Sequence, residues 1–319
     1  MQKCTITIVV PVFNVENYVN ETLLSIKNQI SQADEIIVIN DGSTDKSGSI
    51  ISNFAQIQGW KIIQTHNQGL GLTRNYGRSI ANSDYIYFLD SDDIMKDDLI
   101  LRMREIIHQY NGPEMILFSG ESFDDNGTNN KKPNLKFTLK GEFFHNSKLL
   151  TKLTKRKETL PQASRYITKV NLWIKNKLSY PEGIAEDEAV FFPLLALSKS
   201  TVVLPEIYYK YRVGRPGSIT LSSPISKHSK DFLNRIIFDM EFMTLRYDLV
   251  KNDLSAWHYR LSRKGLNYVS MCLKTKTPIA WKTLLFLFCR TKSINFLFKL
   301  FWRFLKYFFK ISSNTLKSK

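Results

Sequence analysis

Apolar and polar positions follow two alternating rhythms in the first two thirds of the chain. The short apolar runs "TITIVV", "EIIVI", "WKIIQT", "YIYFL" and "EMILFS" are each bounded by polar or turn-forming residues and read as strands. Between them the spacing changes to that of a helix. Val19, Leu23, Ile26 and Ile30 fall on one face of a first predicted helix, and Ile50, Phe54 and Ile57 on one face of a second, for which Asp45 is the N-cap. Apolar strands alternating with helices predict an α/β fold: a mostly parallel sheet with helices on both faces. Ligands of such sheets sit beyond the carboxyl ends of the strands. That rule directs attention to Val12–Asn14, Asn40–Asp45, Thr65–Gly71 and Asp90–Asp93. Residues 121–143 read as irregular, and 146–213 mix helix and short strand. From about Ser222 the pattern turns helical and basic. The predicted organisation is therefore a domain at 1–220 and a helical, aromatic-rich region at 221–319.

Charge adds a partner class. The 319 residues carry a formal net charge of +16, with 43% hydrophobic side chains. Such a balance points to nucleic acid, an anionic membrane surface or phosphorylated small molecules. Cys4, Cys272 and Cys289 are too far apart for a disulfide framework or a zinc motif, which fits a reducing cytoplasm. The N-terminal apolar run is broken by Pro11 and is a strand, not a signal peptide. No apolar stretch approaches the ~20 residues of a spanning helix. In "INFLFKLFWRFLKYFFK", Lys299, Arg303, Lys306 and Lys310 form one stripe, and Phe and Leu with Trp302 fill the rest of the circumference. This predicts a helix lying in the plane of an anionic membrane surface, with packing on the protein itself or a homodimer contact as the alternative. Aromatics that cluster with Leu and Ile favour membrane over base stacking, so nucleic acid is not the expected partner.

Three acidic clusters carry the candidate chemistry. "FLDSDD" places Asp90, Asp92 and Asp93 at the end of a very apolar strand. Two carboxylates one residue apart at a crevice can hold a hard divalent ion that bridges diphosphate oxygens, and acids at that position also stabilise the start of a following helix. "INDGSTD" repeats the arrangement, and "EGIAEDEAVFF" puts Glu186, Asp187 and Glu188 at a helix start.

The segments "VVPVFNVENYVNETLLSIKNQ", "EIIVINDGSTDKS", "NQGLGLTRNYGRSIANSDYIYFLDSDD" and "YPEGIAEDEAVFFPLLALS" resemble, in order and spacing, the signature segments of the family 2 inverting glycosyltransferases, which have the GT-A fold. The resemblance covers most of residues 5–220. It implies a non-processive enzyme of surface-polysaccharide type, a hexosyl- or N-acetylhexosaminyltransferase. The donor it implies is a UDP-sugar, and the acceptor a saccharide or lipid-linked oligosaccharide. It further implies that Pro11 and Phe13 frame the base, that Asp41 accepts the uracil N3–H, and that Asn67 and Arg74 make polar contacts to the nucleotide. In the D-x-D segment Asp90 and Ser91 contact the nucleotide sugar, and Asp92 holds Mn²⁺ or Mg²⁺ on the diphosphate. Asp187 matches the base that deprotonates the acceptor, and Arg212 and Ser218 of "YYKYRVGRPGSIT" match phosphate contacts. Two rival readings remain: a nucleotidyltransferase, which has no need of Asp187, and a non-catalytic polyanion-binding protein. "QASRY" (Gln162–Tyr166) comes close to a motif of processive synthases but precedes the presumed base, and reads as coincidence.

Overall fold

The computed structural model describes residues 4–124, 133–145, 147–183, 186–216, 225–291 and 295–304. They divide into two compact units, Met1–Pro216 and Gly217–Lys319.

The first unit is built on a mixed nine-stranded sheet in the order β3-β2-β1-β4-β8-β6-β9-β5, with β7 also paired to β9. The strands are β1 (Ile6–Val12), β2 (Glu35–Asp41), β3 (Lys61–Thr65), β4 (Tyr85–Phe88), β5 (Ile94–Met95), β6 (Met115–Phe123), β7 (Gly141–Phe144), β8 (Tyr166–Lys169) and β9 (Ser200–Arg212). β3, β2, β1 and β4 are parallel to one another, as β6 is to β9, while β8 pairs antiparallel with β4 and β6, and β5 and β7 antiparallel with β9. The helices are α1 (Val19–Lys27), α2 (Ser47–Gln58), α3 (Leu70–Ser79), α4 (Leu99–Gln109), α5 (Leu149–Arg156), α6 (Val170–Asn176) and α7 (Glu186–Leu197).

Every residue of β1 is buried, because alternate side chains serve opposite faces. Ile6, Ile8 and Val10 join Val19, Leu23 and Ile26 of α1 and Leu99, Ile100 and Met103 of α4 in one core. On the other face Val9 and Ile39 meet α3 at Gly77, where a Cβ would lie 2.4 Å from Val9 Cγ1. Only glycine lets α3 approach the sheet that closely. Phe88 continues this face toward Trp173 and Tyr180 (ring centroids 5.9 and 5.5 Å).

Two local expectations are refined. Ile30 is not part of the α1 face: the helix ends at Lys27, and Ile30 is exposed while its N–H donates to Asp97 O. Asp45 does serve the start of α2, its carboxylate accepting the N–H of Ser47 (2.9 Å) and of Glu16 (3.0 Å). The side chain of Ile57 lies outside the described residues.

The second unit is helical: α8 (Ile225–Leu245), α9 (Tyr247–Val250), α10 (Leu254–Thr275), α11 (Trp281–Thr291) and a further helical stretch at 295–304. Asp239 of α8, fully buried, accepts from Arg260 (2.9 Å) and Lys264 (2.8 Å) of α10, and Phe242 stacks on Trp257 between the same helices. Among the described residues no helix is long and apolar enough to cross a membrane.

Candidate active site

The site is organised by Arg74, an arginine with no exposed surface. α3 is preceded by Gly69 at its N-cap, whose φ of +90° suits glycine, and the helix start is held by the strand beside it. Asp41, at the end of β2, accepts the N–H of Gln68 (3.0 Å), the N–H of Gly69 (2.9 Å) and the Thr65 hydroxyl (3.1 Å). A carboxylate at a helix N-terminus is favourable for the helix as well. At the second residue of α3, a Cβ on Gly71 would lie 2.6 Å from Pro181 O and 3.2 Å from Glu186 Cγ. The side chain of Asn75 then clamps the backbone of Tyr180 through two hydrogen bonds (2.8 and 2.9 Å). Glycine and asparagine thereby bring Tyr180, Pro181 and Glu186 against α3.

That packing carries Arg74 to three carboxylates. Its Nη1 donates to Glu186 Oε1 (2.5 Å) and Asp187 Oδ1 (2.6 Å), and its Nη2 to Asp90 Oδ1 (2.5 Å). Burial opposes its charge, but Asp187, Asp90 and Glu186 together hold its pKa well above the usual arginine value. Two of the acidic clusters read from the sequence, at the end of β4 and at the start of α7, thus meet on one guanidinium.

Asp187 is the more open of the two α7 acids on Arg74, with 17% side-chain exposure against 7% for Glu186. Its second oxygen accepts the N–H of Ala163 (3.2 Å), so both oxygens are oriented. Burial pushes its carboxyl up to about 7; Arg74 pulls the other way, while Glu186 and Asp90 add to the rise.

Asp92 and Asp93 part company. Asp93 is fully buried, accepting from the Tyr209 hydroxyl and from the N–H of Arg212 (2.8 Å). Asp92 keeps some exposure and forms an ion pair with Arg215. Arg212, expected at a phosphate, ends β9 and is buried: its Nε donates to Asp92 O (2.8 Å), and its guanidinium pairs with Glu21 and lies over Tyr18 and Phe123. It braces the Asp92–Asp93 turn, whereas the side chain of Arg215 is the one directed at the Asp92 carboxylate. Ser218 lies outside the described residues.

Pro11 is buried inside β1, opposite Ile39, and Phe13 is exposed just beyond that strand. Asn67 is exposed, its backbone N 2.8 Å from where a Cβ on Gly42 would stand. Ser91 is buried between Asp90 and Asp92. Arg215 and the turn at Ala163–Arg165 were missed by sequence reasoning. Besides Ala163, that turn presents Ser164, whose Oγ accepts the N–H of Asp90 (3.1 Å) and whose carbonyl accepts the Tyr87 hydroxyl (3.0 Å). "QASRY" is therefore part of the site's frame, and its only sequence signal was a motif in the wrong order.

A mixed sheet whose parallel strands end beside carboxylates from the end of β4 and the start of α7 is the arrangement of an α/β enzyme that binds its ligand beyond the strand ends. Residues 7–168, about half of the chain, match the family model "Glycosyl transferase family 2", and the chain belongs to that family of glycosyltransferases. Glycosyltransferase GlyA of Streptococcus pneumoniae is 41% identical over 106 residues, 33% of this chain and 15% of that protein. The chain likewise spans well under half the length of two other relatives that match over similar stretches. Glycosyltransferase GlyG of the same organism is 28% identical over 292 residues, 85% of this chain and 95% of that protein. The structure of S. aureus TarS 1–349 in complex with UDP has the same fold, with a TM-score of 0.59 at 20% identity, covering 85% of this chain and 72% of that one. For the TarS complex with UDP-GlcNAc the TM-score is 0.62 at 18% identity, covering 84% and 86%.

Proposed function

We propose that the enzyme transfers a sugar, with inversion, from a UDP-sugar to a hydroxyl of a saccharide acceptor in surface-polysaccharide or related glycan synthesis. One observation carries this reading: Arg74 ties the Asp90 end of the D-x-D segment to Asp187, so a donor held at one lies beside a base at the other. Asp187 takes the acceptor proton as the oxygen attacks the anomeric carbon, and its elevated pKa suits a base working near neutral pH. The single displacement inverts the anomeric centre.

UDP as donor nucleotide is supported by Asp41. Its carboxylate has four lone-pair sites and three protein donors, which leaves one for a ring N–H. Phe13, one residue beyond the Val12–Asn40 pair of β1 and β2, offers an exposed ring for the base, and Asn67 and Ser91 offer polar contacts. TarS has been crystallised with UDP and with UDP-GlcNAc. Another relative, 30% identical over 219 residues, is named as a poly(ribitol-phosphate) beta-glucosyltransferase of Bacillus spizizenii.

A divalent ion fits the residues present. Among the described residues no three Asp, Glu, His or Cys side chains converge to cage a metal by themselves. Mg²⁺ and Mn²⁺ sites of substrate-phosphate type need only one or two carboxylates and take their other ligands from phosphate and water. Asp92, partly exposed, is the ligand we assign; Asp93 is committed to Tyr209 and Arg212. When bound there, Mn²⁺ or Mg²⁺ neutralises charge on the leaving diphosphate. Arg215 is placed to add to that neutralisation.

The acceptor we infer is lipid-linked and the enzyme peripheral at the cytoplasmic face of a membrane, a reading supported by the basic, aromatic-rich second unit. The test of function is incubation with Mn²⁺ and a panel of UDP-, GDP- and CDP-sugars. Slow hydrolysis confined to a UDP-sugar and lost on chelation is expected; turnover of another nucleotide class, or full activity in chelator, overturns the assignment.

A further inference from the structure

The last two helical stretches of the second unit present an unusual outer face. α11 turns Leu284 and Leu287 inward, and the helix at 295–304 turns Phe296 inward. Leu287 and Phe296 both close on Gly265 of α10, where a Cβ would meet them at 2.8 and 3.1 Å. Trp281, which opens α11, stacks on Phe304, the last described residue of the other stretch (ring centroids 5.6 Å). The two helices therefore form an antiparallel hairpin laid on α10. Its outward side carries Trp281, Leu285, Phe286, Phe298, Phe301 and Trp302, each more than half exposed. So many large apolar side chains on one hairpin mark a surface that something covers.

Charge selects the occupant. Residues 254–319 contain 14 Lys and Arg and neither Asp nor Glu. A second copy would bring the same positive charge to the contact, whereas an anionic bilayer supplies the opposite charge and an acyl layer together. The structure also revises which side of the helix does the docking. Arg303 does not project from an outward cationic stripe: it turns toward α10, donating to Leu266 O (2.9 Å) and to Ser270 Oγ. Lys306 and Lys310 lie outside the described residues. With Arg303 withdrawn, Phe298, Phe301 and Trp302 are exposed on that helix, and Lys282 and Lys299 remain exposed on the hairpin.

We propose that this hairpin is a docking surface for an anionic phospholipid bilayer, both helices lying in the interfacial plane with their aromatic side chains at the acyl boundary. The proposal deepens, and for its biological meaning rests on, the reading of a lipid-linked acceptor. The test is flotation of the full chain with vesicles of phosphatidylcholine alone or mixed with phosphatidylglycerol. Binding to the mixed vesicles and weak binding to the neutral ones is expected. The triple variant Phe298→Ser, Phe301→Ser, Trp302→Ser should lose roughly a hundredfold or more in vesicle affinity. Its thermal unfolding and its hydrolysis of free UDP-sugar should match the parent. Should the triple variant misfold, Lys282→Glu with Lys299→Glu leaves the apolar packing untouched and should lower affinity for the anionic vesicles alone. The proposal is overturned if the parent chain ignores anionic vesicles or if the folded variants float equally well. It is also overturned if light scattering shows a dimer that the triple variant breaks without any lipid binding, which would assign the face to a second copy. Docking without any UDP-sugar turnover would sink the donor reading and leave the surface standing.

Discussion

Replacing Arg74 by Met removes the one cation that Asp90, Glu186 and Asp187 share. Arg74 has no exposed side-chain area, and Glu186 only 7%. Removing one partner of a buried pair typically costs about 3–5 kcal/mol, because the remaining charge is left uncompensated. Asp90 and Asp187 keep 24% and 17% exposure, so the lower end, about 3 kcal/mol, is the expectation at neutral to alkaline pH. The pH dependence follows from the sign of the shifts. Burial raises the Asp187 carboxyl to about 7 and Arg74 pulls it down, so without Arg74 its folded-state pKa lies still further above the unfolded value and the folded state binds more protons. Stability of the variant therefore falls as pH rises through that value, and the deficit relative to the parent is larger at about pH 8 than at about pH 5.5. Urea unfolding of both proteins at the two pH values measures this directly. Arg74→Lys should recover little, since one ammonium cannot reach carboxylates served by two different guanidinium nitrogens. A deficit below about 1 kcal/mol at the higher pH, or one independent of pH, would refute the view that Arg74 holds the clusters together.

The base predicts a pH limb: kcat/KM for the parent should rise about tenfold per pH unit below a pKa near 7 and level off above it, because only ionised Asp187 can accept the proton. A profile flat from pH 5 to 8 would exclude a carboxyl with that pKa as the base. Gly77→Ala should destabilise the first unit by roughly 1–3 kcal/mol, the new methyl meeting Val9 and Ile39, as thermal or urea melting will report. Gly71→Ala should lower activity more than stability, since its neighbours are Pro181 and Glu186 beside the base. Asp41→Ala should erase most of a UDP-over-CDP preference in titration calorimetry, although loss of its bonds to Gln68 and Gly69 will also loosen the start of α3.

What was legible in the sequence was whatever rests on neighbours in the chain. β1, β2, β4 and the first part of β6 appear as apolar runs because both faces of each are buried, β3 shows as a half-buried run at the sheet edge, and Asp45 reads as a cap because its partner, Ser47, is two residues away. The α1 pattern overshot at Ile30 because periodicity alone does not mark where a helix stops. β5 and β8, with two and four residues, are too short to carry a period. The site was legible as a set of acids at strand ends and helix starts, but its wiring was not. Arg74 sits mid-helix, 112 and 113 residues from Glu186 and Asp187, and no local spacing announces an ion pair of that reach. Arg212 and Arg215 illustrate the same limit. They lie three residues apart in one basic segment, and only the register of β9 against β5 and β6 decides which is buried under the Asp92–Asp93 turn and which meets Asp92.

The central claim is that Asp187 activates the acceptor hydroxyl. Its most direct test is Asp187→Asn, assayed for sugar transfer alongside calorimetric titration with UDP. The substitution keeps size and polarity but cannot take the proton, so turnover should fall by ~10²–10⁴ with UDP affinity nearly unchanged. Full transferase activity in the variant, or loss of UDP binding in step with loss of turnover, would contradict it.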